Sequence, residues 1–411
     1  MNGHVQYKRG KITSKPSYWN KCRLKDIVLE HKAGIYKNSK YYGIGSNIVG
    51  VSNLYDTDSI NGQIFDLVQL SKDELKEYTL KEGDLIYGES SLVKEGIART
   101  LYVTREGEGT AFAWHTRRFR VDRDIIESRF LNCLLNSPPV RKELMRVATQ
   151  TALTGITTKD FFGVMIAYPQ KSEQERIAEI LGCWDKAIEK TQKLIRSKQT
   201  LKKALMQQLL TGKKRFKEFW GQEWKTFEFA DIATLTKEKY DPRKERVNYK
   251  CIELEHIDQE SGQLLGHVDS SSQLCIKNRF SKGDVLFGKL RPYLRKYFFA
   301  NFDGVCSTEI WAIRAKENVC RRKFLFYIIQ SHSFNLAANV TSGTKMPRSD
   351  WKYVSEVPFA LPSLQEQRKI AAVLNSCDKE IEVLRSKLKV LKQQKKGLMQ
   401  KLLTGKIRVK V

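Results

Sequence analysis

The chain has 411 residues, of which 41% are hydrophobic and 29% charged, so it is long enough for two globular domains of ordinary size. Its 73 basic and 46 acidic side chains give a net charge of +27, which indicates a polyanionic partner. Eight scattered cysteines without a CxxC pair argue against a disulfide scaffold or a metal site, and the lack of a signal peptide or of a run of about 18 apolar residues predicts a cytoplasmic protein with no membrane segment.

Residues 1–165 predict a first domain of mixed α and β structure, with a flexible extension at residues 1–17. The GDLIYG motif at residues 83–88 is typical of a turn that enters a short buried strand. A short helix is predicted at residues 129–135, and a loop rich in glycine and threonine follows at residues 151–161.

A long helix is predicted next, within residues 166–215. Its apolar residues recur at steps of four and three, the a/d spacing of a coiled-coil seam, although Lys198 and Lys202 interrupt the series. We expect a capping box at Ser172 and Glu175 to start this helix. The predicted seam residues are Ile177, Leu181, Trp184 and Ile188.

Residues 216–358 predict a second domain on the same framework. The GD motif recurs as GDVLFG at residues 283–288, followed again by a short helix at residues 324–330 and a Gly/Thr-rich loop at residues 341–351. Because the two segments share these motifs but differ in the sequence between them, we expect two related domains with different surfaces.

The last segment, residues 359–411, predicts a second long helix that repeats the first. Residues 168–213 and 361–406 align without a gap at an offset of 193, with 20 identities in 46 positions. A second capping box is expected at Ser363 and Glu366. The predicted seam residues are Ile370, Leu374, Ile381, Leu384 and Leu388, with Lys395 as an interruption farther along.

We expect the two long helices to pack against each other. Each of about 40 residues would be roughly 60 Å long at ~1.5 Å per residue. Burying each seam leucine or isoleucine contributes about 1.5 to 3 kcal/mol, so an exposed seam of this length is implausible. The sequence therefore predicts an α+β fold, in which two mixed α/β domains are joined by two long helices packed as an antiparallel coiled coil with a pseudo-twofold internal repeat.

Much of the positive charge lies on these helices. Residues 168–215 carry 12 basic and 5 acidic groups and residues 361–411 carry 13 and 4, so they contribute +7 and +9 of the net charge. A merely solvated helix face explains alternating charges better than such an excess of one sign. We therefore expect a surface that faces phosphate or an acidic protein.

In this arrangement the chain resembles the specificity (S) subunits of type I restriction-modification systems over nearly its whole length. The most specific marks are the PxxxEQ start of each helix (residues 169–174 and 362–367), the LLTGK that ends each repeat, the GD strand, and GKLRPYL at residues 288–294. The first domain departs from this pattern, because GESSL at residues 88–92 stands where the second has GKLRPYL. The resemblance implies two target-recognition domains, at residues 1–165 and 216–358, and two spacer helices, at residues 166–215 and 359–411.

The resemblance also implies a function. Such a chain has no catalytic activity of its own and recognises a bipartite, asymmetric target in double-stranded DNA, whose unread spacer is set by the helix length. It is expected to direct two methyltransferase (M) subunits and two restriction (R) subunits to that target. No cofactor is expected in this chain, whereas S-adenosylmethionine, ATP and Mg are expected on the partner subunits.

DNA contacts are expected from basic loops beside the strands. A guanidinium fork suits the guanine edge, and either lysine or arginine suits phosphate. The predicted DNA-binding residues are Lys94, Arg99, Arg117 and Arg118 in the first domain and Lys289, Arg291, Arg295, Lys345 and Arg348 in the second.

Two other classes of function stay open at this point. A DNA methyltransferase needs an N/D-P-P-aromatic site, and residues 136–140, NSPPV, break that pattern and lack the aromatic residue. A basic coiled-coil scaffold that binds nucleic acid without sequence specificity explains the helices and the charge but not two divergent domains on one framework.

Overall fold

The computed structural model describes residues 18–55, 57–150, 153–342 and 346–410. The predicted flexible extension, residues 1–17, lies outside this described part of the chain.

The chain forms two compact units. The first unit runs to Gln192 and resumes at Lys387, and the second is Lys193–Ser386. Each unit therefore combines one predicted domain with the beginning of one long helix and the end of the other.

The described part of the first unit is built from short strands and four short helices, and it contains the start of the first long helix. The strands are β1 (Asn20–Arg23), β2 (Val28–Ala33), β3 (Tyr42–Val49), β4 (Ser59–Ile60), β5 (Asp66–Val68), β6 (Leu85–Gly88), β7 (Ser90–Ser91), β8 (Thr100–Val103), β9 (Ala111–Phe112), β10 (Thr116–Val121), β11 (Thr149–Gln150), β12 (Thr154–Gly155) and β13 (Met165–Tyr168). The helices are α1 (Lys72–Tyr78), α2 (Ser128–Leu135), α3 (Pro138–Val147), α4 (Thr158–Phe162) and α5 (Lys171–Leu209).

The GDLIYG motif forms the centre of the main sheet of this unit. The sheet has the order β2-β10-β6-β8-β4, and β6 pairs antiparallel with both neighbours. Gly83 adopts φ +84, which favours glycine, and Asp84 is 2% exposed. Arg120, on the adjacent strand, binds both carboxylate oxygens of Asp84 at 2.7 and 3.1 Å. The motif thus supplies the turn, the strand and a buried ion pair.

The second unit repeats this plan with other strands. They are β14 (Lys225–Glu228), β15 (Ala233–Leu235), β16 (Lys239–Tyr240), β17 (Lys250–Ile252), β18 (Val268–Asp269), β19 (Lys277–Phe280), β20 (Val285–Gly288), β21 (Tyr297–Phe299), β22 (Gly304–Cys306), β23 (Ile310–Ala315), β24 (Thr341–Ser342), β25 (Arg348–Ser349) and β26 (Pro358–Leu361). The helices are α6 (Phe229–Ile232), α7 (Arg322–Gln330), α8 (His332–Ala338), α9 (Trp351–Glu356) and α10 (Leu364–Leu402).

The sheet order β15-β23-β20-β21 of the second unit matches β2-β10-β6-β8 of the first. Its GDVLFG motif again places a glycine, Gly283, at positive φ (+97) before a buried aspartate, Asp284. Arg314 binds both carboxylate oxygens of Asp284 at 2.9 Å. The predicted common framework and the predicted mixed α and β structure are confirmed, as are the two short helices, α2 and α7.

Each domain shares its hydrophobic core with the long helices. In the first unit Phe130 and Leu134 of α2 belong to one cluster with Ile177, Leu181 and Leu402. In the second unit the corresponding cluster joins α7 to both long helices through Leu209, Ile370 and Leu374.

The two long helices are each 39 residues long, close to the predicted length. Gly212 and Gly405 follow them at φ +70 and +69, as a helix end requires. In the second unit Lys202 pairs with Asp378 at 2.6 Å and Lys198 with Glu380 at 2.7 Å, so residue numbers rise on one helix as they fall on the other. The predicted antiparallel packing is confirmed.

The seam is buried where the sequence predicts it. Ile177, Leu181, Ile188, Ile370, Leu374 and Ile381 are buried, whereas Trp184, Leu384 and Leu388 are half-buried. The lysines that interrupt the seam are held by acids on the facing helix, because Lys395 bonds to Asp185 in the first unit just as Lys202 bonds to Asp378 in the second.

The predicted capping boxes were wrong in part. Helix α5 begins at Lys171, so Ser172 already lies inside its first turn and does not cap it. Ser363 does accept a bond from the Glu366 amide at 3.4 Å, but the Glu366 carboxylate turns instead to Arg215, at 2.6 and 2.9 Å.

The glutamine of each PxxxEQ motif fastens the helix to its domain. Gln174 is fully buried, accepts a bond from the Glu127 amide at 2.9 Å and donates to the Ile125 and Pro169 carbonyls at 3.1 and 2.9 Å. Gln367 makes the same three kinds of bond in the second unit. Three bonds in a buried setting orient the start of each long helix.

Candidate nucleic-acid interface

The second unit carries a basic loop at residues 289–295, directly after β20. Arg291 and Arg295 adopt left-handed backbone conformations (φ +52 and +50) on either side of one 3-10 turn. The Arg291 amide donates to the Pro347 carbonyl at 2.8 Å, and the Ser349 amide donates to the Lys289 carbonyl at 2.9 Å. The GKLRPYL loop therefore lies against the end of the Gly/Thr-rich segment, and the two segments that the sequence singled out form one surface.

The first unit docks its corresponding loop in the same way. The Ile156 amide donates to the Glu89 carbonyl at 3.0 Å, and Ser90 and Ser91 of β7 pair with β12. The Glu89 amide donates to the His115 carbonyl at 2.8 Å, just as the Lys289 amide donates to the Glu309 carbonyl at 3.0 Å. We call these two surfaces the first reading loop (residues 89–94) and the second reading loop (residues 289–295).

The two reading loops share their docking hydrogen bonds but differ in side chains and in the backbone that follows, since the first forms strand β7 whereas the second turns through left-handed Arg291 and Arg295. Glu89 occupies in the first loop the position that Lys289 occupies in the second, so the charge is opposite. The first loop exposes Leu92 (87%), whereas the second exposes Arg291 and Tyr293. Two supports with matching hydrogen bonds thus present different chemistry.

The predicted DNA-binding residues of the second unit fall into three groups. Arg291 is exposed and Lys289 half-buried, and neither takes part in an ion pair within the described part of the chain. Arg348 binds both oxygens of Glu309 at 2.9 and 3.2 Å, and this bonding raises the pKa of Arg348 above its usual range. Arg295 lies 3.4 Å from Glu260 and donates to the Gln330 carbonyl at 3.1 Å. Lys345 lies outside the described residues.

In the first unit the predicted residues are mostly paired. Lys94 is exposed, but Arg99 pairs with Asp58 at 2.7 Å and Arg117 with Glu89 at 2.6 Å. Arg118 is 4% exposed, pairs with Glu30 and lies over the ring of Phe112. Its burial gives Arg118 a structural role in the sheet, so we leave it out of the interface.

An aromatic cluster that the sequence did not predict lies beside the first reading loop. Trp114 and Tyr36 are 52% and 65% exposed, and their rings meet edge to face at 5.8 Å. Trp114 lies in the turn after β9, and its ring is 5.3 Å from that of His115, whose φ is +65. An aromatic residue that follows an apolar pair gives the pattern of a buried strand, which is why its exposure was not expected. In the second unit Thr308 occupies the position of Trp114, and Glu309 occupies the position of His115.

No helix in the described ranges is both long and apolar enough to cross a lipid bilayer. This finding agrees with the high charge of the two long helices, which carry 25 of the 73 lysines and arginines when counted over residues 168–215 and 361–411.

Comparison with known proteins places this architecture in a family. A model of the type I restriction modification DNA specificity domain matches residues 16–197 and again residues 221–393. The EcoDI type I restriction enzyme specificity subunit of Escherichia coli is 26% identical over 295 residues, which cover 63% of this chain and 64% of that protein. The MjaVIII specificity subunit of Methanocaldococcus jannaschii is 27% identical over 289 residues, with coverages of 64% and 67%. The chain thus spans about two thirds of the length of these curated relatives.

A solved structure supports the fold. The S subunit of a type I restriction-modification system from M. genitalium superposes with a TM-score of 0.60 at 15% identity, over 96% of this chain and 98% of that one. Since the two family matches together cover most of the sequence, the chain belongs to the family of type I restriction-modification DNA specificity proteins.

Proposed function

We propose that this chain recognises a bipartite, asymmetric target in double-stranded DNA, with one half-site bound by each unit. The observation that carries the proposal is the pair of reading loops. Their backbones dock on the same framework through matching hydrogen bonds, while Glu89 in the first loop occupies the position that Lys289 occupies in the second. Because acidic side chains accept from cytosine and basic ones donate to guanine, such loops select different bases.

The unread spacer follows from the long helices. Helices α5 and α10 each begin in one unit and end in the other without interruption. A continuous helix has a fixed rise of ~1.5 Å per residue, so its length sets the separation between the half-sites. B-DNA presents the same groove face about every 34 to 36 Å, which makes a fixed gap a requirement for binding both half-sites.

Methylation and cleavage are assigned to partner subunits. We propose that this chain is not catalytic by itself and assembles with two M subunits and two R subunits, which carry S-adenosylmethionine, ATP and Mg. The pseudo-twofold repeat supports two copies of each partner subunit, because near-equivalent helices offer two near-equivalent surfaces for one kind of partner.

The helix surface open to such a partner is not the interrupted seam. Lys198 and Lys202 interrupt the seam, but Glu380 and Asp378 of the facing helix pair with both lysines. Exposed apolar residues lie elsewhere, with a seven-residue spacing on each helix but at positions that the 193-residue repeat does not relate. They are Leu194 (44%) and Leu201 (48%) on α5 and Val383 (66%) and Val390 (50%) on α10. An apolar stripe at heptad spacing suits packing against another helix.

Co-expression with M subunits tests the proposal. Single-molecule sequencing of host DNA should map methylated adenines to one split, asymmetric motif with a constant gap. A stable complex that produces no motif would contradict target recognition and would favour a non-specific scaffold. Mass measurement of the assembled complex should give two M subunits for each copy of this chain, and one M subunit would contradict the argument from pseudo-symmetry.

A further inference from the structure

A basic cleft in the second unit extends beyond the second reading loop, which contributes only Arg295 to it. Its volume is about 1790 Å³, and it lies between the domain and the portions of α5 and α10 that belong to this unit. Six cations without an ion pair among the described residues line it, and four of these, two from α5, one from α7 and one from α10, have basic counterparts at an offset of 193 or 194 in the first unit. We call these four residues the second basic patch: Arg196, Lys203, Lys323 and Lys379.

Four acids also line this cleft. Asp378 and Glu260 are paired with the lining cations Lys202 and Arg295, whereas Asp258 and Glu382 have no ion pair among the described residues, so the unpaired cations outnumber the unpaired acids. Asp378 accepts from Lys202 at 2.6 Å and from the Tyr327 hydroxyl at 2.8 Å. Lys323 lies 3.7 Å from the centre of the Phe299 ring, and burial lowers its pKa despite the nearby Asp378 carboxylate. Excess positive charge therefore remains available to a ligand.

Two of these contacts recur at the corresponding positions of the first unit. Arg129 lies 5.4 Å from the centre of the Tyr102 ring, which occupies on β8 the position of Phe299 on β21. Asp185 again accepts from a lysine of the facing helix, Lys395. The offset of 193 or 194 residues relates every member of the two sets. We call this set the first basic patch: Arg129, Lys186, Lys389 and Lys396.

The comparison of the patches indicates what they bind. The positive sign is the same at all four positions, although lysine and arginine exchange at two of them, Arg196 with Lys389 and Lys323 with Arg129. Phosphate accepts from either cation, whereas bidentate pairing with a carboxylate distinguishes them. The reading loops differ in charge while these patches keep the same charge. The ligand of the patches is therefore common to both units and independent of base sequence.

Each patch is also linked to the interface of its own unit. Arg295, the last residue of the second reading loop, lines the cleft and donates to the Gln330 carbonyl, while Lys202 donates to the Gln330 side chain at 3.0 Å. In the first unit Asp58 joins Arg99 at 2.7 Å to Lys395 at 3.2 Å.

We propose that the two basic patches bind the phosphate backbone of the DNA that adjoins each half-site, and so supply affinity that is independent of sequence. The proposal rests on the proposed function, because it takes DNA as the ligand. An acidic face of a protein partner is the competing occupant, and continuity with the reading loops favours DNA.

The test is the salt dependence of DNA binding by the complex with M subunits. The exposed lysines of each patch are neutralised in pairs, Lys203→Gln with Lys379→Gln and Lys186→Gln with Lys396→Gln. Each phosphate contact contributes about 0.9 to the slope of log K against log salt, so each double variant should reduce the slope by about 2. The methylated motif should stay the same, and the melting temperature should not change because all four side chains are exposed.

A charge-matched control and modified DNA sharpen the test. Lys214→Gln with Lys225→Gln removes two exposed lysines of the second unit that do not line the cleft, and it should leave the slope nearly unchanged. Neutral methylphosphonates next to the second half-site should reproduce the Lys203/Lys379 effect and add little to it.

An unchanged slope in both patch variants, with a normal motif, would overturn this inference alone. Loss of M subunits from the complex, with the salt slope of the remaining complex unchanged, would overturn it in favour of an acidic protein partner. A wild-type complex without any sequence preference would instead contradict the proposed function.

Discussion

The two units agree where they contact the long helices and differ where they present the reading loops. Three pairs of residues occupy matching places and have matching partners. They are Gln174 with Gln367, Asp84 with Asp284, and Leu181 with Leu374. Glu89 and Lys289 occupy matching places with opposite charge. The framework therefore sets the position of each loop, and the loops supply the chemistry. A change in the framework should alter both stability and DNA binding, whereas a change in a loop should alter DNA binding only.

The largest effect is expected where the units agree most. Leu181→Ala and Leu374→Ala each remove a fully buried side chain at equivalent positions of the core. Each should lower the free energy of unfolding by about 3 kcal/mol, from lost burial and the cavity left behind. Denaturant unfolding measures this loss, with Val383→Ala, which is 66% exposed, as the matched control at less than about 0.5 kcal/mol. A large difference between the two leucine variants would break the equivalence of the units.

A second comparison concerns the lysines within the seam. Lys395 bonds to two carboxylates, Asp185 and Asp58, whereas Lys202 bonds to one carboxylate and one amide. Lys395→Met should therefore cost about 2 kcal/mol and Lys202→Met about 1 kcal/mol, since each stranded carboxylate is partly screened by water. Equal losses at neutral pH would show that the second acid contributes nothing.

The same pair of variants predicts a pH dependence. Burial opposes ionisation at Asp58, yet Lys395 and Arg99 outweigh it and lower the pKa of that carboxyl, whereas burial raises the pKa of Asp185. The contribution of Asp58 to stability is present above the unfolded pKa of about 3.9 and is lost as pH falls through the lower folded value. The difference between wild type and Lys395→Met should therefore shrink below about pH 4. Unfolding curves from pH 7 to pH 3 measure it, and a difference that grows in acid would contradict the assignment.

The framework could be predicted from the sequence more fully than the loops. The repeat at an offset of 193, the heptad spacing and the GD motifs predicted both long helices, their partnership and the common strands, because these depend on periodic burial. The start of α5 was misplaced, since Ser172 lies two residues beyond the capping position of a helix that begins at Lys171.

The candidate site was less predictable because exposure and pairing depend on contacts distant in sequence. Arg118 and Arg291 look alike in sequence, yet one is covered by the sheet and pairs with Glu30, while the other extends from a left-handed turn into solvent. Trp114 was missed for the converse reason, because an apolar pattern does not show that the strand ends two residues earlier.

The reading loops should respond separately. Arg291→Lys keeps the charge but removes the guanidinium fork, so it should relax the base preference at one position of the second half-site by about 1.5 kcal/mol. Competition binding with substituted duplexes measures this preference, and the first half-site should be unaffected. A uniform loss of affinity for all duplexes would assign Arg291 to phosphate instead.

The smallest effect is expected from the aromatic cluster of the first unit. Trp114→Ala removes a half-exposed ring and should change the free energy of unfolding by less than about 0.5 kcal/mol. Binding to duplexes that carry the first half-site should weaken by about 1 kcal/mol if the ring packs against a base or sugar. Unchanged binding would leave the cluster as surface only.

The most direct test exchanges one loop and maps the DNA target. Residues 289–295 are replaced by a loop of different sequence, the chain is co-expressed with its M subunits, and methylated adenines are mapped by single-molecule sequencing beside the wild type. One half of the split motif should change while the other half and the gap stay constant. A change in both halves, or in the gap, would contradict the division between a framework that fixes position and loops that fix chemistry.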